Sequence, residues 1–113
     1  MKFTLPIPPS ANRYWRQGNN RMFVSKEAKQ YKLDAGWLAK AAGCRCIDPP
    51  QRVKVRLHVY RPQKRGDLDN YIKVLLDSLN GVAYQDDSQV CDIRATLDDD
   101  KDEPRIEVEV MEA

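Results

Sequence analysis

No stretch of this 113-residue chain approaches the ~20 consecutive apolar residues that a membrane-spanning helix needs, and the mean hydropathy is −0.69. The opening, MKFTLPIPPS, has one lysine and three prolines where a secretory signal would need an apolar run. A cytoplasmic location and no membrane partner are therefore expected. Cysteine is scarce: three residues, an odd number, do not make a disulfide framework. Cys44-x-Cys46, with Cys91 and the single histidine His58, matches no recognised zinc spacing. There is no nucleophile elbow, phosphate-binding loop or dinucleotide fingerprint, and no internal repeat.

The chain is not short of charge, but it is short of acid in one half. Residues 1–66 hold 15 Lys+Arg against 3 Asp+Glu, whereas residues 67–113 hold 4 against 14. A chain of this length is expected to form one domain, residues 1–113, so the two halves must share a surface. A basic half suits a polyanion and a carboxylate-rich half suits metal ions; the halves could also simply neutralise each other.

Four segments alternate with the period of half-buried strands. They are Phe3-Leu5-Ile7, Val53-Val55-Leu57-Val59, Cys91-Ile93-Ala95-Leu97 and Ile106-Val108-Val110. The last two are joined by the acidic run Asp98 to Glu103 and Pro104, which reads as a hairpin loop. Helical spacing follows Ser25, a candidate N-cap, through Ala28, Tyr31, Ala35, Leu38 and Ala42 to a stop at Gly43. A second helix starts near Asp67 or Leu68, carries the stripe Leu68, Ile72, Leu75, Leu76 and Leu79, and stops at Asn80-Gly81. The expected fold is α+β: one mixed four-stranded sheet with two helices packed on it, in the order β-α-β-α-β-β. Residues 8–24 and 81–89 are expected to be irregular loops.

Asp69, Lys73 and Asp77, four residues apart, share the helix face opposite the leucines, and Asp67 stands where the loop becomes helix. Aspartates there are ordinary caps, and Asp-Lys-Asp is an ordinary exposed ladder. On the residues alone capping comes first; the second reading is half of a metal site, because Mg²⁺ takes one or two carboxylates along with waters and substrate phosphate. Asp86-Asp87, ahead of the third strand, is either a polar turn or a second pair of ligands converging with the first on one sheet edge. The run from Asp98 to Glu103 lacks the glycine and terminal glutamate of a calcium loop and reads as solvated. On the basic side, Arg13, Arg16, Arg21, Lys26, Lys29 and Lys32 interleave with Tyr14, Trp15 and Phe23. A second block, from Arg52 to Arg65, contains no acid. Cations beside aromatics suit phosphate contacts and stacking on unpaired bases.

In combination the motifs resemble the RusA family of Holliday junction resolvases. Leu5-Pro6-x-Pro8-Pro9-Ser10-x-Asn12-Arg13-Tyr14 is similar to that family's opening. Arg65-Gly66-Asp67-Leu68-Asp69-Asn70-x-x-Lys73, followed by Asp77-x-Leu79, is similar to its catalytic segment, and Asp86-Asp87-x-Gln89-Val90 to its third motif. Gly66 departs from members that carry a further basic residue there. The resemblance implies a homodimer that nicks two opposed strands of a four-way DNA junction, with Mg²⁺, or Mn²⁺ in its place, as cofactor. Asp67, Asp69 and Asp87 would be the metal-binding carboxylates and Lys73 the catalytic lysine. Asn12, Arg13, Arg16, Arg21, Arg61, Lys64 and Arg65 would contact DNA. A structure-specific DNA-binding protein without cleavage would need the basic blocks but not the carboxylates, and an RNA-processing nuclease could use the same metal chemistry.

Overall fold

A computed structural model describes residues 1–9, 15–18, 21–63 and 67–113, with backbone alone for 15–18 and 21–24. In chain order the elements are β1 (Lys2–Leu5), β2 (Trp15–Gly18), β3 (Arg21–Val24), α1 (Lys26–Ala41) and β4 (Val53–Arg61). They continue with α2 (Leu68–Ser78), a 3-10 turn (Asp87–Gln89), β5 (Val90–Asp99) and β6 (Arg105–Glu112). Four strands form one mixed sheet in the order β1-β6-β4-β5, so the expected fold class holds. Alternation decides which face is buried. Phe3 and Leu5, Val53, Val55, Leu57 and Val59, and Ile106, Val108 and Val110 form the core with Tyr31, Ala35, Ala39, Leu75 and Leu79 of the helices. The intervening residues, among them Thr4, Arg56 and Glu107, leave the other face exposed.

The structure corrects three expectations. Residues 15–24, expected to be irregular, contain the antiparallel pair β2–β3, with Gly18 opposite Arg21. Its strands escape a period-two reading because they are only four residues long and Met22-Phe23-Val24 is apolar without alternation. The turn-favouring pair Asn19-Asn20 between them was the usable signal.

Secondly, β5 and β6 are not a hairpin. β4 lies between them, parallel to β5 and antiparallel to β6. The β4-α2-β5 crossover occupies one side of β4, which leaves the other side for the returning β6. The acidic segment therefore passes over the end of β4, where the Asp100 N–H donates to the Arg61 carbonyl at 2.9 Å.

Thirdly, the buried stripe of α1 runs through Ala28, Tyr31, Ala35, Gly36 and Ala39 rather than Leu38 and Ala42. Small residues at these positions let the helix lie close to its neighbours, so Leu38 is exposed. Ser25 caps the helix as expected, its hydroxyl accepting from the Ala28 N–H at 3.2 Å. Gly43 (φ +88°) and Gly81 (φ +76°) end the two helices in the left-handed region that glycine tolerates. No helix among the described residues is long and apolar enough to cross a membrane.

Candidate active site

Because β4 and β5 are parallel, α2 must start at the C-terminal end of β4 and return the chain to the N-terminal end of β5. The 11 residues of α2 rise by about 1.5 Å each, so its ends stand roughly 16 Å apart. Asp67 and Asp69 sit at its start, and Asp77, Asp86 and Asp87 at its far end. Two tyrosines mark these neighbourhoods. Tyr71, near the start, has its pKa raised by burial and partly drawn back down by the Arg61 cation. Tyr84, at the far end, has its hydroxyl pushed well above the ordinary value by burial first, then by the charges of Asp87, Asp77 and Asp86. The Tyr84 hydroxyl donates to the Leu76 carbonyl at 2.6 Å, anchoring the turn to α2. The expected convergence of all the carboxylates on one sheet edge therefore does not occur within one chain. Among the described residues, no three His, Cys, Asp or Glu side chains stand close enough together to hold a metal ion.

The carboxylates differ in what already occupies them. Asp67 is the N-cap of α2 by backbone position, its carbonyl accepting from the Asn70 and Tyr71 N–H groups at 3.1 and 3.3 Å, yet its side chain makes no capping bond. Asp69 accepts only the Asn70 N–H, at 3.0 Å, among the described residues. Asp87 is exposed and makes no side-chain hydrogen bond or ion pair with a described residue. Asp86, its neighbour, is committed: it accepts from the Ser88 N–H while Gln89 accepts from the Asp86 N–H, a reciprocal capping box. Those bonds, with the Ser88 contacts foremost, hold the Asp86 carboxyl below the usual range. Sequence alone did not separate Asp86 from Asp87; Ser88 and Gln89, spaced for a capping box from Asp86, were the signal that could have.

The acidic run is not merely solvated. Asp98 pairs with His58, Asp99 with Arg61, and Asp100 with Arg105 at 3.0 Å. Arg105 also lies over the Tyr60 ring, 3.8 Å from its centroid. Of the predicted DNA contacts, Arg61 is thus already engaged by Asp99. Arg16 and Arg21 lie on β2 and β3, and Asn12, Arg13, Lys64 and Arg65 fall outside the described residues. Lys73 is exposed one helical turn after Asp69. Sequence reading passed over Arg94, which faces Arg56 across the β4–β5 ladder with no carboxylate partner for either among the described residues.

A family profile described as Endodeoxyribonuclease RusA matches residues 6–111. The chain belongs to the RusA family. Among its curated relatives is the crossover junction endodeoxyribonuclease of Enterobacteria phage HK97, 35% identical over 95 residues, covering 82% of this chain and 78% of that one. The RusA protein of Escherichia coli K12 is 39% identical over 93 residues, covering 80% and 77%. That of Enterobacteria phage 82 is 37% identical over 93 residues, with the same coverage. The RusA match takes in both ends of α2 and the hairpin of β2 and β3.

Proposed function

We propose that this RusA-family chain is a Mg²⁺-dependent endodeoxyribonuclease that resolves four-way DNA junctions by paired nicks, acting as a homodimer of the 113-residue domain. The observation that carries the reading is the state of Asp67, Asp69 and Asp87. Where Asp98, Asp99 and Asp100 spend their carboxylates on His58, Arg61 and Arg105, these three keep theirs free or nearly so among the described residues. Exposed carboxylates without cationic partners are hard oxygen donors of the kind Mg²⁺ takes, and Mn²⁺ accepts the same set. A divalent cation held there supplies Lewis-acid polarisation of the scissile phosphate. Lys73, one turn along from Asp69, brings a positive charge to the developing negative charge on the phosphate oxygens. The basic first half holds the DNA arms through phosphate contacts, with Asn12, Arg13, Arg16, Arg21, Lys64 and Arg65 as the candidate contacts and Arg61 positioned through Asp99.

The separation along α2 gives the dimer a physical role. Two copies related by a two-fold axis and set antiparallel along the β5 edge would bring Asp67 and Asp69 of one chain towards Asp87 of the other, twice. A four-way junction has approximate two-fold symmetry, so such a dimer presents one site to each of two equivalent strands. Incubating the protein with a synthetic four-way junction, with Mg²⁺ or with EDTA, tests the reading in one gel. Paired nicks that need Mg²⁺ are expected. Binding without cleavage under both conditions would leave a structure-specific DNA-binding protein instead, and preferential cutting of duplex RNA would leave an RNA nuclease.

A further inference from the structure

Helix α1 turns large apolar side chains away from the core. Trp37 is 74% exposed and Leu33 60%. Burying a tryptophan is among the larger hydrophobic gains open to a fold, and this fold does not take it. The indole does not stand alone. Trp37, Leu33 and Gly36 line one groove with Lys29, Lys32 and Lys40 of the same helix, and Asn80, Gly81 and Val82 close its other side. Spacings of three and four residues put the helical members on one face. The far wall is close: Val82 Cγ2 lies 3.5 Å from where a Cβ on Gly36 would stand.

The polar groups of the groove are unspent. Lys29, Lys32 and Lys40 form no ion pair or hydrogen bond with a described residue. The Asn80 Oδ1 is buried with no hydrogen-bond partner among the described residues. The two acids of the helix lie outside the groove, and Asp34 already accepts from Gln30 at 2.9 Å. The wall at Asn80–Val82 belongs to the turn that leads to Tyr84, so the groove is at the same end of α2 as Asp77 and Asp87.

We infer that this groove binds single-stranded DNA, with a base stacked on Trp37 and the backbone phosphates against Lys29, Lys32 and Lys40. Three uncompensated ammonium groups around an exposed indole match a flexible polyanion that carries flat π-faces. In a duplex those faces are stacked away, so the groove favours unpaired strands. The inference concerns a second DNA contact, apart from the carboxylates, and does not need the protein to cut.

The test measures anisotropy of a fluorescein-labelled 20-residue oligothymidylate with the full chain in EDTA, over a series of salt concentrations. Trp37→Ala is expected to weaken binding about ten-fold or more, as loss of a base–aromatic stack does. Trp37→Phe keeps a ring face and should stay within about three-fold of wild type. The triple variant Lys29→Gln, Lys32→Gln, Lys40→Gln should weaken binding and lower the log–log salt slope by about 2, at roughly 0.7 per phosphate on a single strand. Trp37 emission, read as the difference between wild type and Trp37→Phe, should be quenched by oligothymidylate and not by a blunt duplex. All these side chains are exposed, and unchanged thermal melts confirm that the fold is intact. Wild-type affinity in Trp37→Ala, or equal competition by duplex, overturns the inference. So does a Trp37→Ala variant that changes from dimer to monomer with unaltered DNA affinity, because the groove would then hold a second copy. A wild type that binds oligothymidylate through the groove but never cuts junctions removes the nuclease reading alone.

Discussion

The chain carries two sets of aspartates that look alike in sequence and differ in structure. Asp98, Asp99 and Asp100 are consecutive, and each is answered by a basic side chain: His58, Arg61 and Arg105. Asp67, Asp69 and Asp87 are scattered, and among the described residues they are answered by a single backbone N–H, on Asp69. The denser set is structural: Asp98 and Asp99 tie β5 to β4, and Asp100 ties the crossing segment to Arg105 at the start of β6. The sparser set keeps its oxygen lone pairs free or nearly so among the described residues. Local charge density is therefore a poor guide to which carboxylates stay unpaired; what matters is whether the fold has already supplied the counter-charge.

The sharpest way to break this comparison is to neutralise one aspartate of the free set. Asp69→Asn or Asp87→Asn should lower junction cleavage in Mg²⁺ by two orders of magnitude or more, while gel-shift affinity without Mg²⁺ is retained. Neither substitution removes an ion pair, so the unfolding free energy should stay within the ~0.5 kcal/mol typical of surface changes. Equal loss of binding and cutting would place these aspartates in the DNA interface instead.

The next largest effect comes from mixing the two inactive variants. If each site draws on both chains, a heterodimer of Asp69→Asn and Asp87→Asn has one intact site and one doubly altered site. The mixture should then nick single strands of the junction, whereas each variant alone does nothing. No recovery on mixing, with subunit exchange verified, would mean that both residues serve a site within one chain.

Smaller effects separate the committed carboxylates. Asp86→Ala should lower the melting temperature by breaking the capping box, while Asp86→Asn, which caps about as well, should keep it. If Asp86→Asn melts as low as Asp86→Ala, the charge and not the cap is what counts. The smallest change is in pH dependence. The Glu103 N–H first, then Arg105, lower the Asp100 pKa in the folded protein. A lowered folded-state pKa contributes stability that is present above the unfolded value near 3.9 and lost as pH falls through the folded value. Wild type and Asp100→Asn should thus differ in melting temperature at neutral pH and converge below about pH 4. Parallel curves across that range would show that the Asp100–Arg105 pair contributes nothing.

Much of the fold was legible because alternation and helical period are local properties of the chain. The four sheet strands, the Ser25 cap and the glycine stops at Gly43 and Gly81 all follow from residues within a few positions of one another. The three motifs that mark the RusA family are likewise short segments in a set order. Pairing partners were not legible. That β4 would separate β5 from β6 depends on which edge the crossover helix leaves open, and that is settled only when the sheet assembles. The same applies to the carboxylates. Their identity and number were written in the sequence, but a parallel crossover sends the chain along α2 before β5 can begin, which carries Asp87 away from Asp67 and Asp69. Which aspartates of the acidic run found partners was decided by tertiary contacts, since Arg61 and Arg105 meet that run only after the strands are in register.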